Sequence, residues 1–331
     1  MSNESKKVDA VFEGGGVKGI GLVGAVAVTE GKGYQFENVA GTSAGAIVAA
    51  LIAAGYKAPK LKQVIENLDY NDFKDTGIVD KIPIIGFALS LGFEKGIYEG
   101  EFFEKWLREL LIRAPSKPVK TFRDLRTGDD DPRYRYKLQV IATDITRGMM
   151  LVLPRDIEDY GIDPDDLEVA RAVRMSMSIP FFFEPVILKD RHGVDCYLVD
   201  GGVLSNFPVW LFDDGSSNPP WPTFGYKLVE PDSGKPNRIN GPITLFAALF
   251  NTMMDAHDAR YIKDADFVRT IPIPTLGVRT TEFDLSRKRS DNLYESGRQA
   301  AEAFFQQWDF AGYKTGYRET QAPGRRKRVS T

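Results

Sequence analysis

The sequence predicts an α/β fold, a central and mostly parallel sheet with helices on both faces. Three observations predict it. Short runs of β-branched and aromatic residues alternate with longer helical patterns. The first fifty residues read as strand, glycine loop, helix, strand, tight turn and helix. The helix that closes this unit, AGAIVAALIAAGY at 44–56, is apolar on every side, as befits a helix packed inside a layered fold.

Taken in order, VDAVFE (8–13) alternates and is β-like, and it runs into the glycines at 14–16. Val17 to Thr29 is small and apolar, a buried helix that Gly31 and Gly33 end. FENVAG (36–41) is a short second strand ahead of the apolar helix. Helical patterns follow at 59–68, 99–112, 165–176, 243–262 and 292–308, with strand patterns at 136–145, 149–154, 196–202, 223–229 and 267–273. Segments 126–133 (RTGDDDPR) and 213–222 (DDGSSNPPWP) read as surface loops, the first as a solvated turn rather than a metal loop. No internal repeat is visible. One domain is expected over 5–318, its motifs within 8–210, ahead of a basic, disordered tail at 319–331.

Composition narrows the function. A hydrophobic fraction of 43% and a charged fraction of 27% are those of a soluble globular chain. With 43 Lys and Arg against 46 Asp and Glu, the net charge of -3 argues against a nucleic-acid binder. Cys196 is the only cysteine, so neither an intrachain disulfide nor a cysteine metal site is available, and His192 and His257 are too few for a histidine-rich one. No metal or cofactor is expected. The N-terminus passes from polar residues straight into a strand, without the apolar stretch of a signal peptide, so a cytoplasmic location is expected. The longest apolar segment, IPIIGFALSLGF at 82–93, falls short of the roughly 20 residues that span a bilayer. It reads as a buried or lid-like element, or as a surface that opens onto lipid.

Gly41-Thr42-Ser43-Ala44-Gly45 fits G-x-S-x-G between a predicted strand and a predicted helix. A serine on so sharp a turn has strained backbone angles, and side chains two residues to either side would collide with neighbouring backbone. Its hydroxyl stands clear of the sheet above a helix N-terminus, where unpaired N–H groups favour developing negative charge. Gly14-Gly15-Gly16-Val17-Lys18-Gly19 occupies the preceding strand-to-helix junction. Consecutive glycines can turn N–H groups into a cleft, as an oxyanion hole requires. In a parallel sheet both junctions open at one edge. Gly14, Gly16 and Gly19 also satisfy the dinucleotide pattern, but the acidic residue that pattern wants at the second strand's end is missing: Glu37 comes too early, and the elbow occupies that end.

A serine nucleophile needs a base. His192 lies in a polar turn and His257 on a helical pattern. A carboxylate serves if it accepts the proton directly. Asp200 is the best candidate, because it ends the strand CYLV and precedes Gly201-Gly202, which let the chain turn away from it.

Together, G-G-G-x-K-G at 14–19, G-T-S-A-G at 41–45 and D-G-G at 200–202 resemble the patatin-like phospholipase family, with IATDITRG (141–148) and SMSIPFFFEPV (176–186) in agreement. The resemblance implies a three-layer α/β/α fold and a Ser43–Asp200 dyad without histidine or metal. It implies an oxyanion hole at Gly15 and Gly16, helped by Gly14, with Lys18, Gly19, Gly41, Gly45, Gly201 and Gly202 in support. It implies a phospholipid or other fatty-acyl ester as substrate, cleaved without calcium through an acyl-enzyme. Lys18 would orient the loop or meet an anionic head group, unless it is an ordinary surface lysine. The role of Glu13, just before the triplet, stays open. Phe181, Phe182 and Phe183 with Met175 and Met177 form either an acyl-chain wall or ordinary core. The basic tail from Arg325 to Arg328 offers peripheral contact with an anionic membrane, or mere solubility. Two other readings stand beside the hydrolase, a silent lipid-binding scaffold and a nucleotide binder.

Overall fold

A computed structural model of the chain describes residues 6–68, 100–180, 182–230, 264–280 and 285–318, with short stretches at 239–241, 245, 248–249, 252–253 and 282. Segment 82–93, Phe181, His257, most of the helix expected at 243–262 and the tail at 319–331 lie outside the described residues.

The first unit folds as its glycines and apolar runs require. Strand β1 (Lys6–Phe12) leads through the glycine loop into α1 (Gly19–Gly31), then β2 (Tyr34–Thr42) and α2 (Ala44–Ala53). Helix α2 is buried along its whole length, so every face of its apolar sequence has a partner. Helices α3 (Ala58–Glu66) and α4 (Glu101–Ile112) follow. Next come β3 (Leu138–Asp144), β4 (Met149–Leu153), α5 (Val169–Ser176), β5 (Val186–Lys189) and β6 (Asp195–Asp200). The chain continues through β7 (Thr223–Val229), α6 (Asp264–Val268), β8 (Thr270–Pro274), α7 (Arg287–Gln307) and α8 (Phe310–Tyr313).

The eight strands form one sheet in the order β5-β6-β3-β2-β1-β7-β8, with β4 also paired to β3. Neighbours from β3 to β8 run parallel, whereas β4 and β6 run antiparallel to β3, and β5 antiparallel to β6. Side chains alternate between faces. Val8, Ala10 and Phe12 enter the large core beneath the helices, and Val11 enters a smaller one with Ala40, Ile141 and Val152. Among the described residues, that smaller layer is closed by Phe207, Val209, Leu211 and Phe212 of the segment after β6.

Two local outcomes differ from the sequence pattern. β5 carried no recognisable strand signal, being four residues long. The strand expected at 267–273 begins later, because Asp266 and Arg269, three apart, pair across a helical turn at 2.6 Å. β8 ends the sheet. Proline has no N–H, so Pro272 and Pro274 cannot donate to β7. Alternate residues do so, as Thr275 does to the Val229 carbonyl at 2.9 Å, and the prolines fall on the outer edge.

The segment after β6 is tied to the sheet through Arg269, which is 2% exposed. Its guanidinium grips both Asp213 oxygens, at 2.7 and 2.8 Å, as well as Asp266. Removing one member of such a group leaves buried charge uncompensated. Arg269→Ala is expected to lower unfolding stability by about 3 kcal/mol or more, read as a lower midpoint in a urea titration.

Candidate active site

Strand pairing places the site. Residues 140–144 of β3 pair with β4, 138–141 with β2, and 142–144 with β6. A strand has only two edges. Since β4 overlaps both of the others, β2 and β6 must share the opposite edge of β3, one after the other. β2 climbs that edge to Thr42 opposite Ile141, and β6 descends it to Asp200 opposite Ala142. The two strands therefore meet end to end, and Ser43 and Asp200 stand where they meet.

The elbow at Ser43 has the strain expected of it. Ser43 has φ 53° and ψ −127°, a conformation side chains rarely adopt, immediately before the first turn of α2. A side chain at Gly41 would strike the Gly45 backbone, and one at Gly45 would strike the carbonyls of Phe12 and Glu13. Gly19 lies against Ala44. These glycines allow strand, turn and helix to approach this closely. Ser43 is 2% exposed and Asp200 fully buried.

Burial pushes the Asp200 carboxyl up to about 7, opposed by the Ser43 hydroxyl and the Gly202 N–H. Its Oδ1 accepts that N–H at 2.8 Å, and the chain turns away over Gly201 in a single 3-10 turn. Oδ2 is buried without a hydrogen-bond partner among the described residues. The Ser43 hydroxyl influences Asp200 without closing a bond to it, and Oγ rests 3.6 Å from Met177 Sδ. Bonds between catalytic groups are often long before substrate binds.

The glycine loop abuts the same point: a Cβ on Gly14 would lie 3.0 Å from Ser43 Cβ. Gly14 N–H donates to the Asn206 carbonyl at a long 3.4 Å, and Asn206 Nδ2 donates to the Gly14 carbonyl at 3.2 Å. Gly15 N–H donates to no group among the described residues. Gly16, with φ 55°, packs against the Thr280 carbonyl. Glu13 holds the end of β1 to β7, accepting from Lys227 Nζ at 2.9 Å and from the Leu228 N–H. Lys18 is buried, its stem near Gly15 and its ammonium 3.3 Å from Glu230. Met175, Met177 and Phe183 are buried, and of these Met177 touches Ser43.

Neither described alternative for base or ligand meets the pair. His192 lies in the exposed turn before β6, a six-residue strand away from Asp200, or roughly 20 Å at the usual rise. Glu37 lies within β2 and pairs with Lys7 at 3.5 Å, so the dinucleotide pattern lacks its ribose partner. Sequence reasoning missed Asn206, Ser176 and Ser178. Ser176 Oγ accepts the Ser43 N–H at 2.8 Å, and the Ser178 carbonyl accepts the Asp200 N–H at 2.9 Å. Short polar residues after a helix are too common to single these out.

A family model described as patatin-like phospholipase matches residues 10–213. The chain is 43% identical over 305 residues to the uncharacterized protein YqhO of Bacillus subtilis, covering 92% of this chain and 99% of that protein. It is 26% identical over 202 residues to the probable lipid hydrolase 463L of Invertebrate iridescent virus 6, covering 60% of this chain and 61% of that one. Among solved structures, VipD from Legionella pneumophila shares the fold with a TM-score of 0.54 at 18% identity, over 92% of this chain and 67% of VipD.

The raised Asp200 pKa has a consequence for stability. The folded protein keeps a proton up to about 7 that the unfolded chain, with an ordinary value of 3.8, has already released. The proton therefore favours the folded state, and stability falls as pH rises between those values, by up to roughly 4 kcal/mol. Asp200→Asn removes the charge. It is expected to raise the melting temperature at pH 8 and to leave it nearly unchanged at pH 4, as scanning calorimetry at both values would show.

Proposed function

The chain belongs to the patatin-like phospholipase family, and on that footing we propose that it hydrolyses fatty-acyl esters of phospholipid or a related lipid through Ser43 and Asp200. The observation that carries this reading is the meeting of β2 and β6 on one edge of β3. It sets a strained serine beside a buried carboxylate whose second oxygen has no other partner among the described residues. The probable lipid hydrolase 463L adds support from a relative.

In this reading Asp200 Oδ2 takes the hydroxyl proton as Ser43 Oγ attacks the acyl carbonyl. A carboxyl with a value near 7 suits that role, since it is ionised often enough to act and basic enough to accept. Charge developing on the carbonyl oxygen faces the Gly15 N–H, with Gly16 beside it and the N-terminal turn of α2 below. The leaving alcohol recovers the proton from Asp200. Asp200 then takes a proton from water, which attacks the acyl-enzyme; as the acyl–Oγ bond breaks, Asp200 returns that proton to Ser43 Oγ and the fatty acid leaves. Lys18 suits the loop-orienting role, because its ammonium is already paired with Glu230. No helix among the described residues is long and apolar enough to cross a membrane.

Release of nitrophenol and of fatty acid from vesicles tests the proposal. Ser43→Ala and Asp200→Asn are each expected to lose activity by 10³-fold or more, on the order of what single members of a catalytic set cost. His192→Ala and His257→Ala are expected to retain it, and EDTA to leave it unchanged. The rate per enzyme should rise with pH through about 7 as Asp200 ionises. Full activity in Asp200→Asn would sink the dyad. A wild type inert on every ester would favour a lipid-binding scaffold.

A further inference from the structure

The end-to-end meeting of β2 and β6 leaves a gap that no sheet hydrogen bond crosses, since Thr42 and Asp200 pair with β3 and not with each other. Three consecutive residues at the end of α5 and just beyond it span the gap. Ser176 Oγ accepts the Ser43 N–H at 2.8 Å, Met177 Sδ lies 3.6 Å from Ser43 Oγ, and the Ser178 carbonyl accepts the Asp200 N–H at 2.9 Å. One intervening residue thus sets the spacing between the backbone of the serine and that of the carboxylate.

The strap is itself anchored from within. Arg174, 6% exposed, donates from Nη1 to Ser178 Oγ and from Nη2 to the Glu184 carbonyl at 2.8 Å. Ser178 Oγ in turn donates to the Arg174 carbonyl at 2.9 Å, closing a ring. Glu104, Glu184 and Glu101 act on Arg174 electrostatically, but its hydrogen bonds among the described residues go to backbone and hydroxyl. Gly100 makes room for it, because any side chain there would overlap the guanidinium. A buried guanidinium is a costly way to fix a short segment. That cost is intelligible if the segment must not drift.

We propose that Ser176, Met177 and Ser178, anchored by Arg174, are positioning residues that hold Ser43 at working distance from Asp200. The proposal rests on the Ser43–Asp200 reading above. Ser176 matters most: its oxygen satisfies the backbone N–H of the strained serine, and without it Ser43 can relax away from the carboxylate.

The test uses the full chain, a soluble nitrophenyl ester and a fluorophosphonate that labels the reactive serine, with folding followed by thermal melting. Ser176→Ala is expected to lower kcat on the order of 10–100-fold with KM unchanged, and to slow labelling by a similar factor. Ser178→Ala, which cuts the Arg174 anchor but keeps the main-chain bond to Asp200, should give the same kcat-only loss from the other end. It supplies the test if Ser176→Ala does not fold. Wild-type kcat and labelling in either folded variant overturns the proposal and leaves the dyad standing. A wild type that is neither active nor labelled overturns the dyad reading, and this inference with it.

Discussion

The shared edge of β3 is the constraint on which the site depends. A continuous β2 would put its next residue opposite Ala142, and a continuous β6 would put its next residue opposite Ile141. Each strand must therefore stop where the other begins, and each stop needs a chain reversal in almost no space. The glycines serve those reversals: Gly41 and Gly45 around Ser43, and Gly201, where a side chain would meet the Ile141 carbonyl. Two reversals at one point bring side chains together that are 157 residues apart in number, Ser43 and Asp200.

The same point concentrates unfavourable free energy. A non-glycine residue at positive φ costs about 1–3 kcal/mol, and a carboxylate buried from solvent costs more when ionised. The surrounding structure offsets both with ordinary means. Helix α2 is wholly buried, Glu13 and Lys227 clasp β1 to β7, and Arg269 clasps the segment after Asn206. Stability is lost at the serine and the aspartate and recovered across the elements packed around them.

How much could be read in advance follows from the range of each interaction. The elbow at 41–45 was legible, since turn sterics act within five residues. Asp200 was legible as a strand end followed by two glycines. The alternation of strands and helices was legible too, because burial imposes it locally. Asn206 and Ser176 were not, as their partners lie 192 and 133 residues away and depend on where antiparallel β6 is laid down. Glu13 was visible but mute, its meaning coming from Lys227 and Leu228 on another strand. Met177 could be read only as apolar filling, and its contact with Ser43 Oγ appears only once α5 is placed.

Pro272 and Pro274 on the outer edge of β8 bear on how this sheet meets other chains. A bare strand edge is a template on which a further strand can grow, whether from a sister molecule or from a half-made copy. Two missing donors on alternate residues interrupt that template along its five-residue length. Among the described residues the sheet ends here, at an edge whose two prolines make it a poor template for a further strand.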